Sequence, residues 1–249
     1  MDSPRPALRL FVMHHAGGSH LLYRTWPAAL PDSWDVRLLD APGHGLLLDQ
    51  PRIPDAGALA EHLLRAVEPR LTGPYALFGH SMGALVTYEM TRRIIDRGLP
   101  PPPVWLGMSA RTPPDPARTA KAYREPSDAE LRARLKWLGG TPDEIFADPE
   151  LWAVFDPIIR TDLRLVDTWR PAPGAAALPV ALSAYAARED RSAPPPRMAG
   201  WAAHAERFLG LRVFDGGHFY FQDDPGPLLR QIERDATAAL DAADTARCA

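Results

Sequence analysis

The sequence predicts an α/β fold, a mostly parallel, doubly wound sheet carrying an all-helical insertion. Three observations predict it. A short apolar run, Tyr75–Ala76–Leu77–Phe78, ends in Gly79–His80–Ser81–Met82–Gly83 and passes at once into a helical pattern. Over the first half of the chain, short apolar runs alternate with helical stretches, the rhythm of strand–helix–strand units. From Ala110 to about Pro173 that rhythm stops and only helical patterns remain, after which strands resume.

Leu8–Met13 reads as the first strand, followed by His14–His15–Ala16–Gly17–Gly18–Ser19 and a turn or helix through Tyr23 and Trp26. The Gly-Gly loop matches neither G-x-x-x-x-G-K-[ST] nor G-x-G-x-x-G, so it is not a phosphate cradle. Adjacent histidines on an extended chain point to opposite faces, and no Cys, His or acidic partner stands at ligand spacing, so His14–His15 does not read as a metal site. Trp34–Leu39 is the second strand, ending at Asp40–Ala41–Pro42–Gly43–His44–Gly45. Asp55–Leu71 is a helix capped by Asp55, with Ala56, Leu59, Leu63, Leu64 and Val67 on one face, and His62 reads as a surface or packing residue.

The Tyr75–Gly79 strand and its helix, with Leu85, Tyr88, Met90 and Ile94 at near-helical spacing up to Gly98, come next. Val104–Met108 is a strand after the stiff Pro100–Pro103 cluster. Asp128–Leu138 is a helix with Ser127 and Glu130 placed for a capping box; Thr141–Phe146 has Glu144 in the same relation to Thr141. Glu150–Arg160 and Thr161–Trp169 read as two more helices. The length of this stretch predicts a lid over the strand ends, at about residues 111–172 of a single domain spanning 1–249. Strand Val180–Ala184, a helix around Met198–Glu206, strand Leu211–Phe214 and helix Pro227–Ala242 complete the chain.

Composition narrows the function. The formal net charge is −3 and there is no basic run, which argues against a nucleic-acid partner. No apolar run is long enough to cross a bilayer and Met1–Pro6 lacks signal-peptide character, so no membrane role is expected. The sole cysteine, Cys248, precludes an intrachain disulfide, in keeping with a reducing cytoplasm. No internal repeat is present, and a monomer is expected.

The chemistry starts at Ser81. G-x-S-x-G alone is weak, since many matches are surface turns, but here a buried strand precedes it and a helix follows it, the form of a nucleophile elbow. Glycines at 79 and 83 let strand and helix approach closely, and the Met82 N–H points to where negative charge grows on an attacked carbonyl. The second donor is expected from the His15–Ala16 segment, with Ala16 preferred. Ser81, Asp190 and His218 each follow a predicted strand, and their order, Ser…Asp…His, is that of α/β-hydrolases. His218 would take the serine proton and return it to the leaving group; Asp190 would fix the imidazole tautomer. Glu189 competes for the acid's role but Asp190 is preferred, and Asp215, Asp223 and Asp224 read as solvated loop carboxylates. His80 precedes the nucleophile and should point away as a packing residue. Neither a cofactor nor a metal is called for.

These residues resemble a known family. Leu10–Phe11, Ala16–Gly17–Gly18–Ser19, Tyr23, Trp26–Pro27 and Leu30–Pro31 are similar to the opening of the type II thioesterases of polyketide and nonribosomal peptide synthesis. Gly79–Ala84 resembles their elbow, Leu138–Pro142 and Arg160–Val166 their lid, and Gly216–Phe219 their histidine loop. The resemblance implies a lidded α/β-hydrolase that cleaves acyl thioesters from phosphopantetheine arms of acyl- or peptidyl-carrier proteins, in editing or release. Three segments depart from the pattern. His14–His15 replaces a proline and an aromatic, Ala41–Pro42–Gly43–His44 replaces Leu-Pro-Gly-Arg, and Ala186–Ala187 replaces the Gly-Gly before the acid. The first two bear on substrate preference. An oxygen-ester or amide hydrolase, an acyltransferase with the same triad, and a non-catalytic hydrolase-fold binding module stay open as alternatives. Arg118, Lys121, Arg124, Arg132 and Arg134 are candidate contacts for an acidic carrier.

Overall fold

The computed structural model describes residues 6–99, 101–115 and 123–248, with side chains to 246. Strand β1 (Leu8–Met13) leads through a 3₁₀ turn to a short helix α1 (Trp26–Ala29) and then β2 (Trp34–Leu39). Helix α2 (Ala56–Val67), β3 (Tyr75–His80), α3 (Met82–Asp96) and β4 (Trp105–Ser109) follow. The insertion holds α4 (Asp128–Leu138), α5 (Asp143–Ala147) and α6 (Pro149–Thr168). β5 (Leu178–Ala187), α7 (Pro195–Met198), β6 (Ala205–Phe214) and α8 (Gly226–Cys248) close the chain.

The six strands form one sheet in the order β2-β1-β3-β4-β5-β6, and every pairing is parallel. Parallel strands place all their C-terminal ends on one edge, where ligands bind. Both sheet faces are covered, as continuous apolar runs require. Phe11, Met13 and Leu77 pack with Leu59, Leu63 and Leu64 of α2 and Leu85 and Met90 of α3 on one face. Leu10, Val12 and Phe78 pack with Trp26 of α1 and Leu228, Ile232 and Ala236 of α8 on the other. The insertion has its own small core of Leu131, Leu135, Trp152, Ile159 and Leu163.

Local chemistry fixes most boundaries. Asp55 caps α2 by accepting the Ala58 N–H at 2.8 Å, and Pro69 turns the end of that helix into a 3₁₀ turn instead of letting it run to Leu71. Ser127 and Glu130 form the expected capping box. Thr141 does not cap α5: Pro142 follows it, favouring extended backbone at Thr141, and the helix starts one residue later. The two helices expected over Glu150–Trp169 are one, α6, which continues through Pro157. Its buried face, Trp152, Ile158, Ile159, Leu163 and Leu165, outweighs the lost backbone bond. β5 and β6 are each ten residues, longer than the pattern showed. Gly210, at φ +116°, makes an irregularity in β6, and on this edge strand the polar Glu206 and Arg207 mask the apolar alternation. Because β6 begins at Ala205, the expected Met198–Glu206 helix is a short α7 running into a 3₁₀ turn at Ala199–His204.

Candidate active site

Ser81 lies between β3 and α3 with φ 56° and ψ −112°, a strained conformation for a residue with a β-carbon. Two glycines make the turn possible. A Cβ on Gly79 would lie 2.2 Å from the backbone of Gly83, and one on Gly83 would lie 2.2 Å from the Met13 carbonyl oxygen. The Ser81 N–H donates to Ser109 O at 2.8 Å, holding the elbow to β4.

His218 Nε2 stands 2.9 Å from Ser81 Oγ, and His218 Nδ1 stands 2.8 Å from Asp190 Oδ2. The structure thus brings together Ser81, Asp190 and His218, which are 137 and 28 residues apart in sequence along the two links. Asp190 and His218 are buried. Burial opposes ionisation of Asp190, but its hydrogen bond and attraction to His218 and the donors from Ser192 hold its carboxyl below the usual range. The other Asp190 oxygen accepts from Ser192 Oγ at 2.6 Å, Ser192 N–H at 2.8 Å and Ala193 N–H at 3.2 Å. Ser192 Oγ also lies 3.0 Å from His218 Nδ1. The acid and histidine loops are stitched together, since the Glu189 N–H donates to Gly216 O at 3.0 Å.

The competing carboxylates are elsewhere. Glu189, Asp223 and Asp224 are exposed, and the exposed Asp215 pairs with Arg188 at 2.8 Å. His80 is fully buried and hydrogen-bonds Ser109 Oγ through Nδ1 at 2.8 Å, behind the histidine of the site. Burial, with His218 and His15 nearby, keeps its imidazole neutral well below the ordinary histidine range. His62 is half-buried on α2.

Met82 is the first residue of α3, directly after the elbow. Ala16 lines the same cavity as Ser81 and His218. The neighbouring amides are engaged: Gly17 N–H donates to Asp162 Oδ2 at 2.7 Å and Gly18 N–H to His15 O at 3.0 Å. The paired histidines have separate tasks. His14 is fully buried and bonded to backbone on both nitrogens, whereas His15 faces the cavity against Phe219, with ring centroids 4.7 Å apart. Burial, then the neighbouring histidines, lowers His15 to about 3, so it is neutral and no rival base at neutral pH.

The cavity measures about 470 Å³. Ser81, His218 and Ala16 line it from the sheet edge; Leu135, Ile145, Phe155, Ile159 and Leu163 line it from the insertion. A Cβ on Gly140 would meet the Phe219 ring at 2.2 Å, so the α4–α5 loop lies directly on the histidine loop. Among the described residues no group of three His, Cys, Asp or Glu is arranged to hold a metal, and no helix is long and apolar enough to cross a membrane.

The cations offered for a carrier are mostly committed within the insertion. Arg134 makes a two-pronged pair with Asp167, at 2.6 and 3.0 Å, and Arg124 pairs with Glu130. Arg132 pairs with Asp128 at 2.9 Å and stacks over Trp152 at 3.8 Å. Arg118 and Lys121 lie outside the described residues. The sequence reading missed Ser192, whose Asp-x-Ser spacing is an Asx-turn signal, and the link between His44 and Asp162, which has no local signal.

A parallel sheet whose strand ends gather a serine, a histidine and an aspartate beneath an inserted set of helices defines an α/β-hydrolase. Within that class the chain belongs to the thioesterase domain family, whose model matches residues 8–236. It is 32% identical over 222 residues to the thioesterase PikA5 of Streptomyces venezuelae, covering 89% of this chain and 78% of that one. Among solved structures, the RedJ thioesterase of the prodiginine pathway in Streptomyces coelicolor superposes with a TM-score of 0.84 at 30% identity, covering 94% of this chain and 90% of that chain. The type II thioesterase BorB from the borrelidin biosynthetic cluster gives a TM-score of 0.80 at 33% identity, covering 95% of each.

Proposed function

We propose that this thioesterase hydrolyses acyl groups held as thioesters on the phosphopantetheine arms of acyl- or peptidyl-carrier proteins, through an acyl-Ser81 intermediate. The observation that carries the reading is the continuous line Ser81–His218–Asp190, with links of 2.9 and 2.8 Å, in a cavity that the insertion lines with Leu135, Ile145, Phe155, Ile159 and Leu163. The biosynthetic setting of the structurally similar RedJ and BorB supports a carrier-bound substrate.

In this mechanism His218 Nε2 takes the proton of Ser81 Oγ as the oxygen attacks the thioester carbonyl. The N–H groups of Met82 and Ala16 receive the developing oxyanion; one such donor is typically worth about 3–4 kcal/mol in the barrier. The C–S bond breaks, the thiol of the arm leaves, and the acyl group stays on Ser81. A thiolate is a good leaving group, so little acid assistance from His218 is needed. Water, deprotonated by the same nitrogen, then releases the acid and restores the serine. Asp190 keeps the Nδ1 proton of His218 in place and faces the imidazolium as it forms. The substrate brings its own phosphopantetheine, and the mechanism requires no further group.

The test is intact-mass analysis of acyl-loaded carrier proteins incubated with the wild type and with Ser81→Ala. Unloading by the wild type alone is expected; equal unloading by both defeats the mechanism. Matched acyl-pantetheine thioesters and oxygen esters, compared in the same assay, are expected to favour the thioester.

A further inference from the structure

Behind the Ala16 loop lie three buried polar side chains that the mechanism does not use: His14, His44 and Asp162. They come from three separate elements. His14 follows β1, His44 follows β2, and Asp162 sits on α6 of the insertion, 118 residues from His44.

Their hydrogen bonds converge on the two peptide planes that flank Ala16. On one side, the His15 carbonyl accepts from Gly18 N–H at 3.0 Å and from His14 Nδ1 at 2.7 Å. In a planar trans peptide the carbonyl and the following N–H point in opposite directions, so fixing His15 C=O fixes the direction of Ala16 N–H. On the other side, Gly17 N–H donates to Asp162 Oδ2 at 2.7 Å. A Cβ on Gly17 would lie 2.7 Å from Ile159, so α6 rests directly on this loop.

The protonation states follow from the partners. Ala41 N–H donates to His14 Nε2 at 3.1 Å, so that nitrogen is a bare acceptor and Nδ1 carries the hydrogen that reaches His15 O. His14 is therefore a neutral imidazole with one tautomer. Both nitrogens of His44 face acceptors, Pro42 O at 3.1 Å and Asp162 Oδ2 at 2.9 Å, so His44 is held as the cation. Its charge compensates a carboxylate only 2% exposed, which unpaired would be costly. The groups around His44 are Asp162 from α6, His14 and His15 from the β1 loop, Asp40, itself paired with His20 at 2.6 Å, and the stem of Arg52 against Gly43.

We propose that His14 and Asp162 are positioning residues that lock the peptide planes on either side of Ala16 and so aim its N–H at the carbonyl oxygen of the acyl group on Ser81. This rests on the serine-hydrolase reading above. Because Asp162 belongs to the insertion, docking of α6 and aiming of the oxyanion donor are one event.

Four variants test it, with steady-state hydrolysis of an acyl-pantetheine thioester and the rate of Ser81 modification by a fluorophosphonate as readouts. His14→Leu and Asp162→Ala should lower kcat by roughly tenfold to a hundredfold, part of the loss typical of deleting an oxyanion donor, with KM within about twofold. Fluorophosphonate inactivation should slow in parallel, since its tetrahedral adduct places an oxygen in the same position. His14→Asn, which keeps a donor toward His15 O, should recover most of kcat. The double variant His44→Leu/Asp162→Leu removes the buried charges together, a change that folded proteins tolerate, and should show the same kcat loss; it decides the matter should a single variant fail to fold. Unchanged kcat in the folded variants, or a loss confined to KM, overturns the proposal. Ser81→Ala is run beside them: if it retains activity the nucleophile assignment fails, whereas an inactive Ser81→Ala beside fully active His14 and Asp162 variants overturns the positioning role alone.

Discussion

Ser192 Oγ lies 2.6 Å from Asp190 Oδ1 and, on its other side, 3.0 Å from His218 Nδ1. A hydroxyl has one proton, and the carboxylate can only accept, so Ser192 donates to Asp190 and offers a lone pair to the histidine. It thereby braces the carboxylate through Oδ1, leaving Oδ2 to the imidazole. Ser192→Ala removes a charge-assisted bond worth about 1.5–3 kcal/mol. Its kcat is expected to fall several-fold with KM unchanged, measured by steady-state hydrolysis.

The choice between adjacent acids is tested by exchange to amides. Asp190→Asn presents an amide to His218 Nδ1 and selects the wrong tautomer, a change expected to cost roughly 10⁴ in kcat by analogy with other triads. Glu189→Gln alters an exposed side chain and is expected to leave kcat within about twofold.

Stability should fall in mild acid. Burial, then the His44 charge, lowers His14 to about 4, and His15 is lowered to about 3. The unfolded chain binds protons on these rings near pH 6.5 while the folded chain does not. The contribution of these two rings is therefore complete above about pH 6.5 and is lost as pH falls toward 4, by about 3 kcal/mol from His14 alone at 1.36 kcal/mol per unit. Thermal melts between pH 7 and 4 are expected to show this decline, and His14→Asn to flatten it.

His44 behaves in the opposite sense. Burial opposes its charge, but the hydrogen bond and attraction to Asp162 outweigh burial and raise its pKa above the ordinary value. Its contribution is fully present below the ordinary histidine range and is lost as pH rises through the raised value. Melting temperatures of the wild type should drop on that alkaline side, while those of His44→Leu/Asp162→Leu should not.

The elbow glycines are expected to be irreplaceable. At Gly83 an added methyl meets the backbone of Met13 and His14, which cannot rotate away as a side chain would. Gly83→Ala should destabilise the protein by about 3 kcal/mol, the upper range for overpacking, as read by urea denaturation.

Much of this architecture was legible in the residues. The apolar runs at 8–13 and 34–39 coincide with β1 and β2, and the Ser127–Glu130 box with the start of α4, because caps and buried strands are written in neighbouring positions. The same is true of Gly79, required by the backbone of Gly83 just beyond it, whereas Gly83 is required by the backbone of Met13 and His14, far along the chain. What local pattern cannot show is a partnership formed only when distant loops meet. His44 and Asp162 pair across 118 residues, and nothing beside either one in the chain shows that partnership. The continuity of α6 across Arg160–Thr161, where two helices were expected to meet, was hidden for a related reason: the burial of Ile158, Ile159, Leu163 and Leu165 that holds it as one helix comes from elements distant in sequence.

The cavity draws its two walls from separate stretches of chain: the bond-breaking atoms from the sheet edge, the greasy lining from residues 131–166. Leu135, Ile145 and Phe155 line the cavity without belonging to the Ser81–His218–Asp190 line. Chain-length preference can thus drift, or be engineered, at those positions while Ile159 and Asp162 keep their hold on the Ala16 loop, so that a single scaffold can serve assembly lines that make very different molecules.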